Sequence, residues 1–155
     1  TSEYGFAVRQ ESDIEITNIN DLKPLVIGHL SGLSHTTEIM NVIEENREKN
    51  LVREGYSIEL LFSQMLAEPA QFDIMPNSKS TMLWTARQFG VSDRIKVLEY
   101  TAKHKDYFVT ISKYSKNVTQ PQQLLKAIDQ CLITLKSNGM FKKISAKYGL
   151  ADLVK

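Results

Sequence analysis

The segment Ser31-Gly32-Leu33-Ser34-His35-Thr36 gathers three hydroxyls, an imidazole and a glycine within six residues. It follows a short apolar run over 25–29 and precedes a helical pattern over 36–50. A strand-to-helix loop points backbone N–H groups and the positive end of the helix at an incoming anion. Ser31, Ser34, Thr36 and the backbone of Gly32 therefore suit a carboxylate or similar acceptor group. Serine and threonine are also favoured at helix N-caps for purely local reasons, so a plain cap is the competing reading. A second polar turn lies in Phe72-Asp73-Ile74-Met75-Pro76-Asn77-Ser78, just before a helical pattern over 78–89. Ser78 carries the same two readings there, ligand contact and cap.

Other chemistry is sparse. His29, His35 and His104 are separated by loops and strands and have neither zinc-type spacing nor a sequence partner for a catalytic dyad. No Ser/His/Asp order, paired carboxylates on one helix face, phosphate-binding loop or dinucleotide fingerprint occurs. Asp73 and Glu99 are the acids that an enzyme on this chain would have to use. The sequence thus predicts no catalytic residue, no metal site and no cofactor. The lone cysteine, Cys131, falls on an apolar helix stripe and is expected to pack in a core. Trp84 is expected to pack on its helix rather than line a site.

The elements that would position these loops follow from periodicity. A strand is predicted over 4–9, with Tyr4, Phe6 and Val8 on one face, and a polar connector over 10–20. The run 25–29 suits a buried central strand, and 36–50 a helix burying Ile39, Val42, Ile43 and Asn46. Further strands are predicted over 57–62, 72–75, 95–99 and 107–112. A brief helix over 63–68 is ended by Pro69, and the helix over 78–89 is stopped by Gly90. Alternating strands and helices in short units imply a mostly parallel sheet with helices on both faces. At 155 residues the chain can bury a sizeable core, and a net charge of +1 gives no global field for nucleic acid or anionic lipid. Lysines gather over 136–147, on what reads as a solvated face. No run approaches the ~20 apolar residues that a membrane helix needs, and no leader segment is visible.

Near the C-terminus, Leu124, Leu125, Ile128, Cys131, Leu132 and Leu135 recur at helical spacing, with Pro121 in the first turn and Gly139 as the stop. A short helix over 141–148 follows, Phe141 and Ile144 inward and Lys142, Lys143 and Lys147 outward. This long helix, "NG" stop and "FKKISAKYG" layout resembles the C-terminus of the family-3 extracellular solute-binding proteins of bacterial transport systems. The segment "INDLKPLVIGHLSGLSHTTEI" (19–39) is similar to that family's entry into its second lobe. The resemblance implies a type 2 periplasmic-binding fold: an α/β three-layer sandwich with a mostly parallel sheet as lobe 2, over 10–104. Residues 1–9 and 105–155 would be the hinge strands and C-terminal helices of a partial lobe 1, whose opening half has no counterpart.

The same resemblance implies a periplasmic or extracytoplasmic protein that captures a small polar solute in an interlobe cleft, for the permease of an ABC-type transporter or for a sensor, with no enzymatic activity. Its ligand-binding residues would be Ser31, Gly32, Ser34, His35, Thr36, Asn77 and Ser78. Leu33 stands where that family commonly has threonine. Asp73 matches the first acid of the family's "vDAvvxD" turn, but Ser78 aligns with the second, which holds an amino acid's ammonium group. A hydroxyl cannot neutralise a cation as a carboxylate does, so free amino acids are not expected to bind. An apolar C-terminal stripe without its usual cover implies a homo-oligomer or a dimer exchanging its C-terminal helices. The alternatives are an enzyme on the same fold, such as a dehydratase, and the effector-binding domain of a transcription regulator.

Overall fold

The computed structural model describes residues 2–148 and 150. Thr1, Gly149 and residues 151–155, which fall within the expected segments 1–9 and 105–155, lie outside the described residues. The chain divides into two compact units, Thr1–Lys105 and Asp106–Lys155.

The first unit begins with β1 (Ser2–Arg9), whose Phe6, Ala7 and Val8 are fully buried. A 3-10 turn at Ile19–Leu22 leads to β2 (Ile27–Leu30), α1 (Thr37–Glu48) and β3 (Val52–Gly55). Then come α2 (Ile58–Met65), β4 (Met75–Ser78), α3 (Lys79–Phe89), β5 (Ile95–Val97) and β6 (Lys103–Lys105). β2 pairs parallel with β3, and Ile27 bridges Ile74, just before β4, also in parallel. β1 pairs antiparallel with β4 on one side and with β5 and β6 on the other. β2, β3, β4 and β5 therefore run in one direction, in the order β3-β2-β4-β1-β5, and β1 runs against them. The parallel sheet read from the sequence is thus interrupted by its first strand.

Alternate residues of the strands feed two cores. Phe6, Val8, Ile27 and Ile74 pack with Leu22 and with Ile39, Val42 and Ile43 of α1. Ala7 and Met75 pack on the other face with Leu61, Phe62 and Met65 of α2 and Met82 and Ala86 of α3. Helices thus cover both faces, and each large apolar side chain withdrawn from water contributes about 1.5–3 kcal/mol. Asn46, fully buried on α1, donates through Nδ2 to Leu22 O (3.2 Å) and Leu25 O (3.0 Å) and ties the helix to the chain entering β2. Gly28 of β2 is required by close approach: a Cβ there would fall on the ring of Phe72.

Several sequence expectations are corrected. The strand expected over 57–62 is helix α2: Ser57 caps it by accepting from Leu60 N (3.1 Å), and Leu61, Phe62 and Met65 form its buried face. The strand lies earlier, at β3, where Arg53 and Glu54 break the apolar pattern. The strand expected over 72–75 is shifted to β4, with only Ile74 bridging earlier.

In the second unit, residues 106–120 form no helix or strand, so the expected strand over 107–112 is absent. Tyr107, Phe108 and Val109 are exposed and have no core to drive pairing. α4 (Pro121–Ser137) and α5 (Met140–Lys147) match the two expected helices and pack on each other, with Gly139 in the left-handed conformation (φ 74°) between them. Leu125, Ile128, Leu132 and Leu135 are half-buried, but neither helix holds a fully buried residue. Cys131 is exposed rather than in a core, because it sits at the margin of that stripe.

Candidate functional site

Because β2 and β4 run the same way, their carboxyl ends, Leu30 and Ser78, lie on one edge of the sheet. The 31–36 loop and the Asn77-Ser78 turn share that edge. The start of β1 joins them, since Tyr4 lies opposite Ser78 and Lys103 opposite Tyr4. A pocket opens there, lined by Tyr4, Ser34, His35, Thr36, Ile39, Lys103 and Lys105. Ser34, His35 and Thr36 come from the segment that the sequence singled out. Tyr4, Lys103 and Lys105 were not foreseen, because only the pairing of β6 with β1 brings them near.

The loop is built mostly by local hydrogen bonds. Thr36 caps α1, its Oγ1 accepting from Ile39 N (3.3 Å). Its hydroxyl also serves Glu38, whose carboxylate its own backbone N–H and Thr36 hold below the usual range. Gly32 takes a left-handed φ of 79°, a conformation that other residues rarely adopt. Ser31 Oγ donates to Glu54 Oε2 (2.9 Å) on β3, so its hydroxyl is turned to the neighbouring strand rather than to the pocket.

Beneath the loop lies a buried histidine. His29, 5% exposed, has Nδ1 at 3.1 and 3.2 Å from the two Glu54 oxygens and Nε2 at 3.0 Å from Leu33 O. Arg47 of α1 also reaches Glu54, at 2.5 Å. Burial raises the Glu54 carboxyl, but hydrogen bonds from His29, Arg47 and Ser31 outweigh it and leave the group below its usual value. The rings of His29 and His35 are 5.5 Å apart. Burial, reinforced by His29, pushes His35 down to about 4, so its imidazole is neutral at pH 7. Both of its ring nitrogens are buried without a hydrogen-bond partner among the described residues.

The second turn is more enclosed. Asn77 Oδ1 accepts from Ser78 N (2.7 Å), while Asn77 Nδ2 is buried without a partner among the described residues. Ser78 does not cap α3 with its side chain. Its Oγ lies 2.9 Å from Ser2 Oγ and 2.9 Å from Ser80 Oγ, a chain of three hydroxyls. Lys79, buried beside it, donates through Nζ to Glu99 O (2.6 Å) and lies 3.6 Å from Glu3. The structure therefore brings Ser34, His35 and Thr36 to the pocket and leaves Ser31, Gly32, Asn77 and Ser78 around it. No group of three or more potential metal ligands occurs among the described residues.

No protein-family model matches the sequence, and no curated protein does. Solved structures do match. A substrate-binding domain from Streptococcus pneumoniae is 18% identical with a TM-score of 0.67, over 96% of this chain and 61% of that one. Substrate-binding domain 2 of GlnP from Lactococcus lactis, in an open conformation, is 16% identical with a TM-score of 0.67, over 95% and 58%. The GluR0 ligand-binding core from Nostoc punctiforme, in complex with L-glutamate, is 21% identical with a TM-score of 0.58, over 96% and 61%. The resemblance read from the two sequence segments thus holds at the level of the fold, that of the type 2 periplasmic-binding proteins. The chain spans about three fifths of the length of these structures.

Proposed function

We propose that this chain is the solute-holding part of an extracytoplasmic binding protein, acting without turnover and delivering its ligand to the permease of an ABC-type transporter or to a sensor. Lobe 2 corresponds to 10–104, its sheet completed by β1 from the hinge segment 1–9, and the segment 105–155 belongs to the hinge and to lobe 1. The observation that carries this reading is the pocket at the carboxyl edge of the sheet, where binding sites of open α/β sheets form. Its lining offers the hydroxyls of Tyr4, Ser34 and Thr36, the ammonium groups of Lys103 and Lys105, a neutral imidazole and the N-terminal end of α1. Among the described residues its lining includes no carboxylate, and the flanking turn has Asn77 and Ser78 instead of an acid. The ligand class is therefore a small anion without a cationic group, such as a mono- or dicarboxylate, held by Ser34, His35 and Thr36, with Ser31, Gly32, Asn77 and Ser78 shaping the loop and turn around them.

Thermal unfolding of the chain in millimolar succinate, set beside glutamine and arginine, tests the reading. A ligand at a hundred times its dissociation constant stabilises by about 2.7 kcal/mol, easily seen as a shift in Tm. Stabilisation by the dicarboxylate but not by the amino acids supports it. Micromolar affinity for a common amino acid would refute it. Self-association belongs to the same proposal, since Phe108, Tyr114 and Ile133 are exposed apolar side chains of the second unit. Sedimentation at micromolar concentration should show a dimer, and a well-behaved monomer would remove that part.

A further inference from the structure

We propose that His29 is held as a doubly protonated imidazolium, and that this one extra proton fixes the 31–36 loop in the shape it presents at the pocket. The argument is one of donors and acceptors. Leu33 O, 3.0 Å from Nε2, can only accept, so Nε2 must carry a hydrogen. The Glu54 carboxylate, 3.1 and 3.2 Å from Nδ1, also only accepts, so Nδ1 must carry one too. With a neutral ring, one of these contacts would set a lone pair against an oxygen, in a site where His29 is 5% exposed and water cannot take over.

The extra proton could instead reside on Glu54, but the surroundings oppose this. Glu54 is also met by Arg47 (2.5 Å) and by the Ser31 hydroxyl (2.9 Å), donors that favour its charged form. Arg47 in turn is shared with Glu44 on the same helix. From the loop, the facing titratable group is His35, which is neutral and so adds no competing charge. From β3 it is Glu54, and from α1 it is Arg47 acting through Glu54. His29 is therefore a positioning residue. It ties Leu33, set between the left-handed Gly32 and the pocket residue Ser34, to β3 and α1. Loss of either ring proton frees Leu33 O or sets Glu54 against a lone pair, and the loop loses its anchor. Only the consequence for solute retention rests on the function proposed above. The protonation state and the loop's response to it do not.

The test is nitrogen-15 NMR of the histidine rings in the full chain without added solute, at pH 7. His29 should show hydrogens on both nitrogens, as its two acceptor contacts require. Glu54→Gln should abolish the second ring hydrogen at pH 7 and move the Leu33, Ser34 and His35 amide signals. A neutral His29 ring at pH 7 in the unaltered protein would overturn the proposal, whether or not the variant folds. Leu33, Ser34 and His35 amides that stay fixed in Glu54→Gln while the second ring hydrogen is lost would overturn the loop anchor. Because no ligand enters these readings, they can fail or succeed independently of the pocket's solute.

Discussion

Replacing Gly28 by alanine puts a methyl group where the chain has none to spare. The new Cβ would meet three ring atoms of Phe72, all inside the 3.0 Å that Cβ contacts essentially never breach. That ring is 1% exposed and enclosed by the core beneath α2 and α3, so it has nowhere to retreat. Overpacking of this kind costs about 1–3 kcal/mol, against a gain of roughly 0.5–1 kcal/mol from a less flexible unfolded chain. The net cost of Gly28→Ala should be about 1–2 kcal/mol, a sizeable fraction of the ~5–15 kcal/mol that holds a domain together. Phe72→Leu alone removes packing and should cost roughly 1–2 kcal/mol. In the double variant the smaller side chain makes room for the methyl, so the two costs should fall short of their sum by about 1 kcal/mol. Urea unfolding followed by circular dichroism, with midpoints compared at constant slope, gives all four values. A neutral or stabilised Gly28→Ala, or strictly additive costs, would show that the ring does not occupy this place under β2.

Two further outcomes follow from the loop. Thr36→Ala should lower stability by about 1 kcal/mol, because Ile39 N loses its acceptor, while Thr36→Ser should restore most of it. If both variants unfold alike, the cap does not stabilise α1. His35, held neutral down to about 4 against an ordinary 6.5, sets a pH trend: below 6.5 the unfolded chain takes up a proton that the folded chain refuses. Stability should therefore fall as pH drops from 6.5 towards 4, by about 1–2 kcal/mol for a ring that keeps some solvent contact. His35→Phe should lose that component of the pH dependence, and an unchanged profile in the variant would refute the assignment.

What the sequence disclosed depended on whether a signal was local. The stripe from Leu125 to Leu135 with Gly139 at its end, and Lys79 to Phe89 stopped by Gly90, are patterns within one helix, and both helices form where expected. The apolar run after Ser57 fits strand and helix equally well, and the Ser57 hydroxyl on Leu60 N decides for the helix. β3 was hidden by Arg53 and Glu54, whose polarity is accommodated because among the described residues the strand pairs with β2 alone. Thr36 was legible as a residue with two roles, and in the structure its hydroxyl serves the cap and Glu38 while it also lines the pocket. Tyr4, Lys103 and Lys105 were not legible, for no spacing announces a meeting across about a hundred residues. The same holds for His29 and Glu54, which register between neighbouring parallel strands sets opposite each other.

The placement of β1 also bears on how the protein is made. Its partners arrive late: Tyr4 waits for Ser78, Ala7 for Val97 and Ser2 for Lys105, separations of about 70 to 100 residues. At ribosomal rates of roughly 5–20 residues per second, Phe6-Ala7-Val8 emerges many seconds before any strand can flank it. During that interval an apolar strand with two open edges is a template for any other chain nearby. Closing the sheet is accordingly a non-local, slow event, and the strand that ends up most enclosed is the one a nascent chain must keep sheltered longest.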